Sequence, residues 1–159
     1  MLKKTVQYFD IVEKNGGFDT DEKEADLKFV YTLPAVRLYE QRTGRQFFSE
    51  YNQAIVAFTG YVSNISGNFE DMTDEEQLNL MPMLSDGRIN GFMLDFVPCL
   101  YAEIHDGRFV QNEETVSNAE SAMWFMDLIN LQFFAEVFKE ISANQSKAPV
   151  NKSNRSKKA

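Results

Sequence analysis

The spacing of apolar side chains changes within residues 26–55, and this change constrains the fold more than any other feature of the chain. The stretch reads DLKFVYTLPAVRLYEQRTGRQFFSEYNQAI. Leu27, Phe29 and Tyr31 alternate with their neighbours, which predicts a strand with one wetter face. From Thr32 onward the spacing becomes helical, and threonine is a favourable N-cap residue. The sequence therefore predicts a strand that leads directly into a helix.

This first helix is expected to end at Thr43-Gly44, because glycine readily adopts the left-handed conformation that closes a last helical turn. A second helix, over about residues 46–63, follows almost at once. Its apolar residues recur at spacings of three and four. These residues are Phe48, Tyr51, Ile55, Phe58 and Val62.

The N-terminal residues 2–14 fit either a strand or a helix. A strand over 27–31 needs a partner for its backbone groups, and this requirement favours a strand over 2–14. The intervening residues 15–26, NGGFDTDEKEAD, are rich in glycine and acidic residues and predict an exposed acidic loop.

Two further helices are expected before residue 105. Thr73 and Glu76 have the spacing of a capping box, and the helix that they begin is interrupted by Pro82. Residues 88–104 have a continuous apolar stripe with helical spacing. Pro98 falls off that stripe and predicts a kink that faces away from the core, or a break between two short helices.

The last predicted helix covers about residues 118–142 and begins with a second capping box, formed by Ser117 and Glu120. Its apolar side chains cover an arc of about 200°, whereas a surface helix needs about 100° or somewhat more. Two interpretations remain open: the helix runs through the centre of the domain, or one flank contacts another protein. The candidates for partner contact are Trp124, Phe125, Leu128, Phe134 and Phe138.

Together these patterns predict a mainly α protein of the α+β type, with a small N-terminal β-hairpin packed on a bundle of four to five helices. Residues 1–142 are expected to form a single folded domain. Residues 143–159 lose all periodicity and are rich in Asn, Ser and Lys, which predicts a disordered basic tail.

Charge and apolar content restrict the possible partners. The net charge is −8, and all 24 Asp and Glu residues lie within residues 1–142, which argues against nucleic-acid binding by the folded part. No apolar run approaches the roughly 20 residues that span a bilayer, and the N-terminus lacks the pattern of a signal peptide. We therefore expect a cytoplasmic protein that binds no membrane.

Residues able to perform catalysis or to bind a metal are scarce. The single cysteine, Cys99, excludes an internal disulfide and is expected to be a small buried side chain. The single histidine, His105, lies beside Asp106-Gly107 at a predicted turn, where a polar surface role is expected. Paired carboxylates such as Glu113-Glu114 are typical of helix starts. The sequence predicts no catalytic residue, no cofactor and no metal site, and favours a binding protein over an enzyme.

The segment TLPAVRLYEQRTGRQFF resembles the start of the tail assembly chaperones of long-tailed phages, particularly those of Gram-positive hosts. The resemblance rests on Glu40, Thr43, Gly44, Phe47 and Phe48, and it covers a minor part of the chain. It implies a non-enzymatic protein of the bacterial host cytoplasm that binds the tape measure protein and keeps it soluble while the tail tube assembles. It also implies possible contact with the tail tube protein and possible self-association.

Two other functions fit the same sequence. One is a structural head–tail connector or tail-terminating virion protein, which would stay in the particle, whereas a chaperone would not. The other is a small acidic regulatory protein that imitates the phosphate charge of nucleic acid. That function requires carboxylates spread over one folded face.

Overall fold

The computed structural model describes residues 1–63, 65 and 71–146, and it gives them four strands and seven helices. The elements are β1 (Leu2–Lys14), β2 (Gly17–Phe29), α1 (Leu33–Thr43), α2 (Phe47–Val62), α3 (Asp74–Leu84), α4 (Gly87–Leu100), β3 (Tyr101–His105), β4 (Arg108–Val110), α5 (Glu113–Ser121), α6 (Phe125–Leu128) and α7 (Leu131–Ser146). The strands form one antiparallel sheet in the order β1-β2-β3-β4. The predicted combination of an N-terminal hairpin with several helices is confirmed, although the hairpin is longer and the helices are more numerous than predicted.

The hairpin pairs β1 with β2 along their whole length, from Leu2 opposite Phe29 to Lys14 opposite Gly17. The strand prediction for residues 2–14 is therefore confirmed. The loop prediction for residues 15–26 is wrong, because only Asn15-Gly16 forms the turn. Both turn residues have positive φ, 52° and 78°, as the tight turn favoured by Asn-Gly requires. Pairing with β1 outweighs the low strand propensity of the acidic residues.

Among the described residues, the rest of the sheet pairs with the base of the hairpin alone. The pairing between β2 and β3 consists of Lys28 opposite Ala102 and Phe29 opposite Tyr101. Next to it, the Val30 N–H donates to the Leu100 carbonyl at 2.8 Å.

The corner between α1 and α2 forms as the sequence predicts. The Thr32 hydroxyl accepts a hydrogen bond from the Ala35 N–H, and Gly44 closes α1 at φ 68°. The Gly44 N–H donates to the Glu40 carbonyl, and the Glu40 carboxylate accepts from the Phe47 N–H at the start of α2. One glutamate therefore bridges the end of one helix and the beginning of the next.

The helix predicted over residues 88–104 is wrong at its C-terminal end, because α4 ends at Leu100 and the chain continues as β3. Apolar residues such as Tyr101 fit the helical stripe equally well, and pairing with β2 and β4 selects the strand. Pro98 lies inside α4 and is buried in the core, so the prediction that it faces away from the core is also wrong.

The prediction of one helix over residues 118–142 is wrong, since three helices cover this region. The capping box that opens α5 is formed by Asn112 and Thr115, each accepting the other's backbone N–H at 2.9 Å. Ser117 and Glu120 lie inside α5, where Glu120 pairs with Arg42 across the surface.

A further cap separates α6 from α7. The Asn130 side chain accepts a hydrogen bond from the Phe133 N–H at 2.9 Å and so caps the N-terminus of α7. The buried residues of α7 then form an ordinary stripe: Phe133, Phe134, Val137, Phe138 and Ile141. The predicted arc of about 200° combined residues of two helices, α6 and α7, and of the turns beside them, which do not form one continuous helix.

α7 continues to Ser146, so the disorder predicted from residue 143 is wrong for residues 143–146. The rest of the predicted tail, 147–159, lies outside the described residues. So does the break predicted at Ser66-Gly67-Asn68.

Aromatic side chains dominate the core. Phe47 and Phe96 approach to 4.7 Å between ring centroids, and Phe58 and Phe138 approach to 4.8 Å. Tyr39 is fully buried among them, and burial raises the pKa of its hydroxyl to about 12. Within the described residues this hydroxyl has no hydrogen-bond partner. An unsatisfied buried hydroxyl lowers stability.

We expect Tyr39→Phe to leave the free energy of unfolding unchanged or to raise it by up to about 1 kcal/mol, because the substitution removes an unpaired polar atom and keeps the ring. Urea denaturation measures the effect. Tyr51→Phe is the matched control, since the Tyr51 hydroxyl bonds to the Ser142 hydroxyl at 3.0 Å, and it should lose about 0.5–1.5 kcal/mol. If Tyr39→Phe lowered the free energy of unfolding as much as the control does, the Tyr39 hydroxyl would have to form a hydrogen bond, contrary to the structure.

The Gln111 side chain joins three parts of the fold. Its amide nitrogen donates to the Val30 carbonyl at 2.8 Å and to the Leu100 carbonyl at 2.9 Å. Its amide oxygen accepts from the hydroxyl of Thr32, the N-cap of α1. One side chain thus connects the end of β2, the start of α1 and the end of α4.

We expect Gln111→Ala to lower the free energy of unfolding by about 1–3 kcal/mol, because it removes the side-chain partner of the Val30 carbonyl and of the Thr32 hydroxyl proton. It also leaves the Leu100 carbonyl with the Val30 N–H alone. Gln41→Ala, on the exposed face of α1, should change it by less than about 0.5 kcal/mol. Equal effects of the two substitutions in urea denaturation would show that the Gln111 contacts contribute nothing.

Candidate protein-interaction surface

The structure places all five predicted partner-contact residues in the core. Their exposed fractions are 7% for Trp124, 8% for Phe125, 1% for Leu128, 0% for Phe134 and 3% for Phe138. Trp124 packs on Tyr101 near the base of the sheet, and Phe138 packs on Phe58 in α2. In the folded chain these side chains therefore present little surface to a partner.

We expect Phe134→Ala to lower the free energy of unfolding by about 3–5 kcal/mol, because it opens a cavity at a fully buried position. Met126→Ala is the matched control from α6, where the methionine is 74% exposed, and should change stability by less than about 0.5 kcal/mol. Thermal and urea denaturation measure both. A small effect of Phe134→Ala on stability would mean that Phe134 is not a core residue and is again a candidate for partner contact.

The exposed apolar side chains of the hairpin lie toward its tip. Phe9 is 62% exposed, Ile11 59% and Phe18 84%. Glu13 lies opposite Phe18, and side chains two residues apart on a strand point to the same face, so all three share one face. We call Phe9, Ile11 and Phe18 the hairpin patch.

A second exposed apolar pair lies on the β3–β4 hairpin, where Ile104 and Phe109 are directly opposite each other and 51% and 53% exposed. The pairing of Lys28 with Ala102 fixes which face of the sheet they occupy. It is the face that carries the hairpin patch. The two groups therefore share one face of the sheet, which also carries Glu22, Glu24 and Asp26.

On the face of β2 that packs against the helices, burial decreases from the base of the hairpin to its tip. Phe29 is 1% exposed and Leu27 4%, Ala25 is half-buried, and Asp19 near the turn is exposed. The base is also held by an ion pair of 2.8 Å between Lys4 in β1 and Glu136 in α7. The tip lacks comparable burial, so it is the part of the hairpin that is available to a partner.

Ion pairs between the strands support the distal part of the hairpin. The Lys23 ammonium group lies 2.7 Å from the Asp10 carboxylate, and the Lys14 ammonium group lies 3.2 Å from the Asp21 carboxylate. The hydrogen bond between Lys23 and Asp10 lowers the pKa of Asp10 and raises that of Lys23. Both pairs are exposed, so each contributes little to stability.

Acidic residues flank the hairpin patch. Of the five carboxylates of β2, those of Glu22, Glu24 and Asp26 share the face of the patch, and those of Asp19 and Asp21 lie on the opposite face. Glu22 is directly opposite Phe9 and Glu13 is directly opposite Phe18. The surface therefore suits a partner segment that presents apolar side chains flanked by basic ones.

The residues that the sequence singled out for chemistry are not assembled into one site. His105 lies on the exposed β3–β4 hairpin, 3.2 Å from the Glu103 carboxylate. Cys99 is fully buried in α4, and burial raises the pKa of its thiol to about 12, so the thiol stays protonated. Among the described residues no group of three or more His, Cys, Asp or Glu side chains is placed to hold a metal ion.

A groove of about 320 Å³ lies between α2 and α4 and includes Val56, Tyr61 and Arg88 in its lining. Its charged group is already engaged, since the Arg88 guanidinium lies 2.6 Å from the carboxylate of Asp86, the N-cap of α4. The hydrogen bond from Arg88 holds the pKa of Asp86 well below its usual range. The pair therefore stabilises the start of α4.

The residues that carry the phage resemblance have local structural roles. Glu40 and Gly44 form the corner between α1 and α2, and the Thr43 hydroxyl donates to the Tyr39 carbonyl at 2.8 Å. Phe47 is buried in the core, whereas Phe48 is 56% exposed.

Comparisons with models of protein families, with curated proteins and with solved structures found no match to this chain. In the part of the chain that the structure describes, no helix is long and apolar enough to cross a membrane.

Sequence reasoning missed the hairpin patch because residues 15–26 were interpreted as a loop. Part of the hairpin signal was present. Asn15-Gly16 is a typical hairpin turn and Phe9 and Ile11 alternate before it, but residues 17–26 show no apolar alternation after it. Alternation shows that Phe9 and Ile11 share a face, but it does not show which face is exposed. The register of β1 against β2 and the packing of the hairpin on the helices decide that.

Proposed function

We propose that this chain is a non-enzymatic phage tail assembly chaperone that acts in the bacterial host cytoplasm. It binds the tape measure protein and keeps it soluble during assembly of the tail tube. Two observations support the proposal: the resemblance of residues 32–48 to this family, and an apolar binding surface on an acidic body.

The hairpin patch is the observation that carries the proposal. A protein that keeps an apolar client soluble needs exposed apolar side chains for contact and net charge against aggregation. Phe9, Ile11 and Phe18 supply the first, and the carboxylates of β2 supply the second on the same hairpin. The chain as a whole has a net charge of −8, which keeps chaperone–client complexes apart.

The shape of the surface suits a helical client. A helix buries one apolar stripe, and a sheet face is a standard partner for such a stripe. The hairpin patch shares its sheet face with Ile104 and Phe109 and with the carboxylates of Glu22, Glu24 and Asp26. A tape measure helix lying on this face would place its apolar stripe on the hairpin patch and its flanking basic residues near those carboxylates.

Of the residues of the resemblance, Glu40, Gly44 and Phe47 support the fold, whereas Phe48 is exposed. Glu40 and Gly44 set the angle between α1 and α2, and Phe47 enters the core from that corner. The proposal therefore assigns client contact to the sheet, and not to Trp124, Phe125, Leu128, Phe134 or Phe138.

Co-expression with the tape measure protein of the same phage tests the proposal. We expect the wild-type chain to bring the client into the soluble fraction and to co-purify with it. The triple variant Phe9→Thr, Ile11→Thr and Phe18→Thr should lose this ability, because threonine removes the apolar contacts but keeps a high strand propensity. Its far-UV circular dichroism and melting temperature should stay close to those of the wild type.

The matched control replaces two exposed apolar residues of α3, Leu78→Gln and Met81→Gln, which are 69% and 59% exposed in the wild type. This variant should solubilise the client as well as the wild type does. A triple variant that is folded and still solubilises the client would contradict the assignment of the binding surface. A client that precipitates with the wild-type chain would contradict the function itself.

A structural connector or tail-terminating protein remains the second candidate, because a projecting hairpin with free strand edges also suits stable docking between virion subunits. Mass spectrometry of purified particles separates the two, since a chaperone is absent from them. The acidic-regulator function is less favoured. Alternation along β2 sends Asp19 and Asp21 to one face and Glu22, Glu24 and Asp26 to the other, whereas imitation of phosphate charge requires a single face.

A further inference from the structure

β1 has an unpaired edge along its whole length. Lys14 and Gly17 flank a two-residue turn and bond to each other, so the even-numbered residues of β1 bond to β2. The odd-numbered residues from Lys3 to Glu13 direct their N–H and C=O groups away from β2. Within the described residues β2 is the one strand that pairs with β1.

This edge lacks two of the features that usually prevent pairing with another chain, a bulge and a proline. The register of β1 against β2 is continuous, without a bulge, and β1 contains no proline. Its central residues 5–9, TVQYF, are uncharged and have high strand propensity.

The free edge of β2 is different, because it carries the five carboxylates of that strand. A second copy approaching β2 would bring like charges together. Charge therefore protects β2 and leaves β1 as the open edge of the hairpin.

We propose that β1 pairs antiparallel with β1 of a second copy of this chain, with Tyr8 opposite Tyr8 at a two-fold axis. This register places Lys3 opposite Glu13 of the other copy, twice by symmetry. Both side chains are exposed, and neither forms an ion pair within the described part of its own chain. Two antiparallel copies of β1 are thus complementary in charge, with lysine opposite glutamate at both ends of the pairing.

The neighbouring symmetric registers are less favourable. With Phe9 at the two-fold axis, Lys4 would face Lys14, a pair of like charges. With Gln7 at the axis, Lys4 would face Asp10, but the structure already pairs these residues with Glu136 and Lys23 of the same chain. The register centred on Tyr8 is the one that uses charges left without a partner.

The same register joins the apolar surfaces of the two copies. Phe9 lies opposite Gln7 of the second copy, so the two Phe9 side chains are diagonal neighbours on one face. The two hairpin patches then form one continuous apolar surface on a four-stranded ribbon. The inference goes beyond the proposed function and holds whether or not the client is a tape measure protein.

Sedimentation velocity over a concentration series tests the inference with the full chain. We expect a monomer–dimer equilibrium for the wild type. Lys3→Glu alone and Glu13→Lys alone should each raise the dimer dissociation constant at least about ten-fold, since each places like charges opposite each other twice. The double variant should restore dimerisation to within about three-fold of the wild type, because the opposite-charge pairs return with their signs exchanged.

These variants should not unfold the monomer. Lys3 faces Lys28 within its own hairpin, so Lys3→Glu removes a like-charge pair there, and Glu13 faces Phe18. Unchanged circular dichroism and melting temperature of the diluted protein provide the control.

Cysteine cross-linking tests the register. Tyr8→Cys should form a disulfide-linked dimer under mild oxidation, because the Cα atoms of such a pair lie about 4.5 Å apart. Gln7→Cys is the matched control and should not cross-link, since the two copies of residue 7 lie about 7–8 Å apart on a diagonal. The native Cys99 is buried and does not compete.

Three outcomes would overturn the inference. The first is a wild type that stays monomeric at every concentration. The second is a dimer that is unaffected by the charge substitutions, which would use another surface. The third is cross-linking at residue 7 and not at residue 8, which would mean a different register.

Discussion

The fold depends on how the N-terminal hairpin is joined to the helices, and one side chain carries much of that junction. Gln111 binds the carbonyl groups of Val30 and Leu100 and the hydroxyl of Thr32, where a strand, a helix start and a helix end meet. The backbone groups at such a junction lie outside regular ladders and need other partners. An amide side chain with two donors and one acceptor satisfies all three at once.

The junction also determines how the hairpin is presented. Because β3 pairs with only two residues of β2, the base of the hairpin is anchored while the rest extends beyond the sheet. The base buries Phe29 against the helices, and the tip leaves Phe18 in solvent. The hairpin patch and the open edge of β1 are consequences of the same limited pairing. The function and the self-association that we propose therefore both depend on the length of the β1–β2 hairpin, most of which has no further strand beside it.

Prediction from sequence succeeded where the signal is local. Thr32, Gly44 and Thr73 all take the capping or terminating roles that their chemistry suggests, because a cap needs only a few neighbouring residues. It failed where two structures fit the same local pattern. Tyr101 continues a helical stripe and also begins a strand, and pairing with Phe29, far away in the chain, decides between them.

The candidate site was the least predictable part. Large apolar residues are abundant in both the core and the exposed surface, and periodicity does not show which of them lie inside. Trp124 and Phe138 have the residue types expected of an interface and are buried. Phe18 lies in a stretch that looked like an acidic loop and is the most exposed of the large apolar side chains that the structure describes.

The sequence by itself determined the helix ends at Thr32, Gly44 and Thr73, the Asp106-Gly107 turn, the acidic character of the body and the abundance of core-forming aromatic residues. Each of these depends on the chemistry of a few adjacent residues or on composition. The tertiary structure alone decided that residues 17–26 form a strand, that residues 113–146 form three helices, and which apolar residues stay exposed. Those outcomes depend on strand register and on contacts between residues far apart in the chain, and no local pattern contains that information.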